Sequence, residues 1–189
     1  MGYSQNLTNN LLIAMPSMAD PHFFRSVTYL CDHSANGAMG IIINRPLNIA
    51  LSDIALQIGC EQSAIKPECS DIPIYEGGPV AHDRGYILHT PFGEWQSSIK
   101  ISDNVCLSTS QDILESIITG KAPDKYIIAL GYAGWSEGQL EYELTQNTWL
   151  NGPSNNSVLF DSPVDERWTS SAQLLGFDMV NLSNDIGHA

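Results

Sequence analysis

Short apolar runs recur along this chain, each bounded by polar or turn-forming residues. The runs at 11–15, 27–31, 39–43, 99–101, 105–107, 126–130 and 158–160 are rich in apolar side chains, many of them β-branched, which predicts strands. Asn36-Gly37 joins 27–31 to 39–43 as a hairpin, and Ser102-Asp103-Asn104 joins 99–101 to 105–107. Elsewhere the period changes. Leu51, Ile54, Ala55 and Ile58 recur at helical spacing, and Ile113, Leu114, Ile117 and Ile118 form a second such stripe that stops at Gly120. Ser136 with Gln139 makes a capping box for a third helix, with Leu140 and Leu144 turned inward and Glu141 and Glu143 outward. A fourth helix starts at Ser162-Pro163 and carries Val164, Trp168, Ala172 and Leu175 before Gly176. Residues 73–90 predict two short strands around a glycine-paired turn that holds His82, Asp83 and Arg84. Residues 1–9 are polar and expected to fray, and 61–71 lack periodicity and are expected to be a variable loop. Strands outnumber helices and follow one another through short turns, so the fold class is α+β, with one domain over 1–189.

Charge narrows the choice of partners. Eight basic residues stand against twenty-one acidic ones, a formal charge of −13, and no two basic residues are adjacent. Nucleic-acid backbones are held by clustered Lys and Arg, so direct binding to DNA is not expected. The four cysteines, Cys31, Cys60, Cys69 and Cys106, form no CxxC pair and no zinc-ligand spacing with histidine. Neither a metal site nor a cofactor motif is predicted, and a reducing, cytoplasmic setting is. No apolar run approaches the roughly 20 residues that span a bilayer, so no membrane partner is expected.

The candidate chemistry is scattered. Glu76-Gly77-Gly78-Pro79 lacks the Lys and Ser/Thr of a phosphate-binding loop and fits a tight turn or bulge better. Asp83 beside Arg84 suits either an oriented carboxylate or a structural ion pair. His89 lies near the end of an apolar strand, the usual setting of a hydrogen-bonded core histidine. Cys31-Asp32-His33 would put a thiol beside a base, but strand alternation sends Asp32 away from the face that Cys31 and His33 share. No serine sits in a G-x-S-x-G elbow.

The stretches NLLIAMPSMADPHFFRSVTYLCDHSANGAMGIIINRP, YEGGPVAHDRGYILHT and LGYAGWSEGQLEYELTQNTWL, with the terminal GHA, resemble the bacterial AlgH/YqgE family from about Asn10 onward. The resemblance implies an α+β fold in which a mostly antiparallel, bifurcated sheet forms a flattened pseudo-barrel flanked by helices. It also implies a bacterial cytoplasmic protein linked to regulation of transcription, with no established biochemical activity. Matched to the family's motifs, the candidate ligand-binding positions are Arg25, Asp32, His33, Asn44, Gly77, Gly78, Asp83, Arg84, His89, Trp135 and Gln139. Three functions stay open. One is a binding or regulatory module that acts through a small ligand or a protein partner. Another is an enzyme whose site combines Arg25, His33, Asp83, Arg84 and His89, and the third is a redox-responsive protein using Cys31.

Overall fold

A computed structural model describes residues 5–179 and 181–182 of the chain. Its organising element is β9 (Lys125–Ser136), the longest strand, which three other strands join. The first half of β9 pairs antiparallel with β6 (Val80–Thr90) on one side and parallel with β5 (Pro73–Glu76) on the other. Its second half leaves β5 and pairs antiparallel with β3 (Gly37–Ile42). The sheet therefore branches at β9, on the side where β5 gives way to β3.

From β3 one branch continues to β2 (Val27–Ser34), β1 (Asn10–Ala14) and β10 (Trp149–Pro153). Beyond β6 lie β8 (Cys106–Ser108) and then β7 (Ser98–Lys100), while β4 (Pro46–Ala50) pairs with β5. All pairings but β5 with β9 are antiparallel, and the whole curls into a half-barrel of α+β class.

Alternation along the strands sorts the apolar residues into three cores. Val27, Tyr29, Ile41, Leu88, Ile127 and Ala129 face one way, under α4 (Arg167–Leu174) through Trp168 and Ala172. Ile74, Ile87 and Ile128 face the other way, against α1 (Leu51–Gln57) and α2 (Gln111–Ile118). A third core gathers Leu12, Leu30, Ala38, Trp135 and Trp149 beneath Leu140 of α3 (Gln139–Thr145).

Several expectations change here. Residues 73–90 are no hairpin, because β5 and β6 sit on opposite sides of β9. His82, Asp83 and Arg84 lie inside β6, in a bulge where residues 81–84 face the single Gly131 between the Val80–Tyr132 and Gly85–Leu130 pairs. The expected strand at 158–160 is one turn of π-helix, Ser157–Asp161, started by the Asn155 side chain accepting from the Ser157 amide at 2.8 Å. Residues 61–71 hold two short 3₁₀ turns and bury Ile65 and Cys69 in the α1–α2 core. Leu7 is already buried, while the terminal Gly187-His188-Ala189 lies outside the described residues. None of the described helices is long and apolar enough to cross a membrane.

Candidate functional site

β9 acts as a ruler that separates the candidate residues. His89 pairs with Tyr126 at one end of it, while His33 pairs with Ala38, which pairs with Trp135 near the other. Nine residues of strand at about 3.3 Å each put these two levels roughly 30 Å apart. The single site built from Arg25, His33, Asp83, Arg84 and His89 is not formed. The candidates fall instead into four neighbourhoods.

The first surrounds the β3–β4 junction. The Asn44 side chain donates to the Arg25 carbonyl at 2.9 Å and accepts from the Val27 amide at 2.8 Å. This two-sided brace holds Arg25 at φ 55°, a left-handed conformation that a non-glycine residue seldom adopts. The Arg25 guanidinium lies over the Trp168 ring at 4.9 Å. Beside it, Arg45 donates to the carbonyls of His22 and Phe24. Gly77 and Gly78 serve close approach. A Cβ on Gly77 would fall 2.2 Å from the Gly131 carbonyl, and one on Gly78, at φ 153°, would fall 2.1 Å from the Tyr132 backbone. They seat the strand crossing at β9, as a tight turn would.

The second neighbourhood lies under α3. The β2 strand bulges between Leu30 and Asp32, and this reverses the expected alternation. Cys31 stays in the core under α4, whereas His33 turns to the α3 side beside Ala38, so the thiol and imidazole do not share a face. Asp32 is exposed. Burial, with the Asp32 carboxylate as a smaller contributor, pushes the Cys31 thiol well above the usual thiol range, and no activated thiolate results. His33 Nδ1 accepts from the Leu7 amide at 3.0 Å, so the neutral ring carries its proton on Nε2 and donates it to Glu141 at 2.9 Å. The Gln139 side-chain oxygen accepts from the Ser136 amide and hydroxyl, but the N-cap of α3 is the left-handed Gly138, so the expected capping box at Ser136 is not formed. Glu141 and Glu143 do not point away. One Glu143 oxygen accepts from both indoles, Trp135 at 2.9 Å and Trp149 at 2.8 Å, and the other accepts from Gln139 at 3.0 Å.

His89 makes the third neighbourhood, fully buried between β8 and the ring of Trp95. It bonds Ser108 through Nε2 and the Pro91 carbonyl through Nδ1. Burial holds its pKa below the usual imidazole range, and the Pro91 contact opposes this only in part.

The fourth neighbourhood is the β6 bulge, and it borders a true concavity. A cavity of about 370 Å³ opens between α1, α2, β6 and β9. Ile54, Ile58, Leu114, Ile128 and Leu130 supply its apolar wall, while Gln57, His82 and Asp83 supply polar groups. Its size and its mixture of apolar wall and few polar groups are those of a small-molecule site. Arg84, though exposed on the same bulge, does not line it. The helix periodicity contains Ile54, Ile58 and Leu114, but nothing local in the sequence brings them to Asp83. The bulge does that. No group of three or more His, Cys, Asp or Glu among the described residues is placed to hold a metal ion.

Comparison with known proteins fits this architecture. A family model described as AlgH-like matches residues 11–180. A UPF0301 protein of Photobacterium profundum is 48% identical over 186 residues, which is 97% of this chain and 100% of that one. Another from Nitrosococcus oceani is 47% identical over 184 residues, covering 96% of each chain. The solution structure of the AlgH protein from Pseudomonas aeruginosa matches with a TM-score of 0.80 at 42% identity, over 100% of this chain and 99% of that one. A Corynebacterium diphtheriae crystal structure, at 17% identity and a TM-score of 0.74 over 97% and 94% of the two chains, shares the fold.

Proposed function

The chain belongs to the AlgH-like family, and from that premise we propose that it is a ligand-binding module whose site is the cavity at Asp83. In this role it acts in regulation indirectly, through the bound ligand, rather than by touching nucleic acid. The observation that carries this is the cavity itself, an apolar pocket with a carboxylate, an imidazole and a carboxamide at its border. Asp83 suits a cationic or hydrogen-bond-donating head, and Ile54, Ile58 and Leu114 suit a short apolar tail. The surplus of acidic residues favours the approach of a cation further. Four free cysteines, three of them buried, suit a reducing compartment, and we place the protein in the cytoplasm.

Thermal-shift and calorimetric titration with n-hexylamine, against n-hexanoate as the charge-reversed control, test the site. The amine is expected to raise the melting temperature of the wild type and the acid is not. Asp83→Asn should weaken amine binding about tenfold, the loss of one charge-assisted contact, and Leu114→Trp should abolish it by filling the cavity. Equal binding of amine and acid, or undiminished binding to folded Leu114→Trp, would overturn the proposal.

A further inference from the structure

We propose that Ser98, Ser108 and His89 form a directed proton relay that makes Ser98 a nucleophile toward short carboxylic esters, at a site separate from the Asp83 cavity. The direction follows from hydrogen-bond chemistry. The Pro91 carbonyl can only accept, so the His89 proton is on Nδ1, 3.0 Å from that oxygen. Nε2 of the neutral ring is then an acceptor, and the Ser108 hydroxyl 2.8 Å away must be its donor. With its proton committed, Ser108 accepts from the Ser98 hydroxyl at 2.5 Å. The chain runs one way, from Ser98 through Ser108 to His89, with a backbone carbonyl fixing the tautomer as a carboxylate does in a catalytic triad.

The strand register explains why the three meet. Ser98 pairs with Ser108, and Ser108 pairs with Ile87, two residues from His89 on the same face of β6. The Thr109 amide bonds to the Ser97 carbonyl and the Ile101 amide to the Val105 carbonyl. By the alternation of an antiparallel ladder, Ser98 and Ser108 are therefore a non-hydrogen-bonded pair, the kind whose side chains approach closest. The same alternation turns the Ser98 amide away from β8, toward the outer edge of β7. That edge ends the sheet. The Ser98 N–H is thus free to donate to an oxygen developing negative charge beside its own hydroxyl.

Access and protonation state agree with this assignment. Ser108 and His89 are fully buried, whereas Ser98, on the edge strand β7, is part-exposed. Burial keeps His89 in the neutral, proton-accepting form. Cys106 and Tyr126, which pair with His89 on β8 and β9, and Lys100, which pairs with Cys106, are the titratable groups next to it in the ladder.

The step balances without any further reactant. Ser98 Oγ bonds to the ester carbonyl carbon as its proton passes to Ser108 and the Ser108 proton passes to His89 Nε2. The carbonyl re-forms, the C–O bond to the leaving alcohol breaks, and the relay run backwards protonates the alkoxide. Water then attacks the acyl-Ser98 ester by the same route and restores the hydroxyl, with net conversion of ester and water to acid and alcohol.

The test uses the full chain with p-nitrophenyl acetate and with an alkyl fluorophosphonate probe, the adduct being located by peptide mass spectrometry. One equivalent of adduct on Ser98 is expected, and none in Ser98→Ala. Ser108→Ala and His89→Gln should each slow labelling about 100-fold, the usual contribution of general-base assistance. If His89→Gln fails to fold, Ser108→Ala alone decides, its folding checked by circular dichroism. No adduct on Ser98, or undiminished labelling in folded Ser108→Ala, would overturn the proposal.

Discussion

Two buried histidines are held here in opposite tautomers. His33 presents its Nδ1 lone pair to the Leu7 amide and keeps the proton on Nε2, whereas His89 gives its Nδ1 proton to the Pro91 carbonyl. Long-range proton–nitrogen NMR spectra at neutral pH should therefore show one ring of each kind. For His89 the burial also has a consequence for stability. Its native pKa lies below the ordinary imidazole value, so the unfolded chain takes up the proton first as pH falls. The contribution of the neutral ring is complete above about pH 6.5 and declines as the solution is acidified toward the lower native value. In urea titrations between neutral and mildly acidic pH, His89→Gln should lose part of the acid-induced drop in midpoint that the wild type shows. Parallel curves for the two proteins would refute this.

Among the elements, α3 depends on contacts that its sequence does not advertise. Glu143 closes the indole N–H groups of Trp135 and Trp149, both almost fully buried, with one oxygen. Glu143→Ala would strand two buried donors, and at about 1–3 kcal/mol for each unsatisfied group the expected loss is about 2–6 kcal/mol of stability. Denaturant unfolding followed by tryptophan fluorescence measures it, and Glu141→Ala serves as a comparison on the same helix. The same helix shows where a linear pattern stops being informative. Leu140 is where the stripe predicts, but an acidic residue between apolar ones reads as solvent-facing unless its partners are known, and those partners come from β9 and β10. Leu51, Ala55 and the 113–118 stripe declare α1 and α2 because helical burial is local and periodic. In contrast, β10 contains Asn151, Gly152 and Pro153, which resemble a turn, and it is a strand only because β1 lies alongside. The β6 bulge is equally non-local. His82-Asp83-Arg84 has the composition of a loop, and register against Gly131 keeps it within a strand. That is why Asp83 was legible as a candidate while its cavity was not.

Across the whole molecule, three of the eight basic side chains are already engaged. Arg167 is buried against the carbonyls of Ile43 and Ser162, Lys125 pairs with Asp161 at 2.6 Å, and Arg45 lies 3.9 Å from Glu76. With a formal charge of −13 besides, duplex DNA should show no sequence-specific mobility shift at physiological salt. Specific binding that survived added salt would contradict the indirect role proposed above. The branching at β9 bears on a different matter, the order in which the chain becomes competent to fold. As the polypeptide leaves the ribosome, β3, β5 and β6 emerge before the strand that all three require. Until residue 136 is clear of the exit tunnel, each exposes a row of unpaired amides and carbonyls, the surface on which nascent chains associate wrongly. Folding is thus gated by one late strand, and synthesis stalled before β9 should yield chains that aggregate or recruit chaperones.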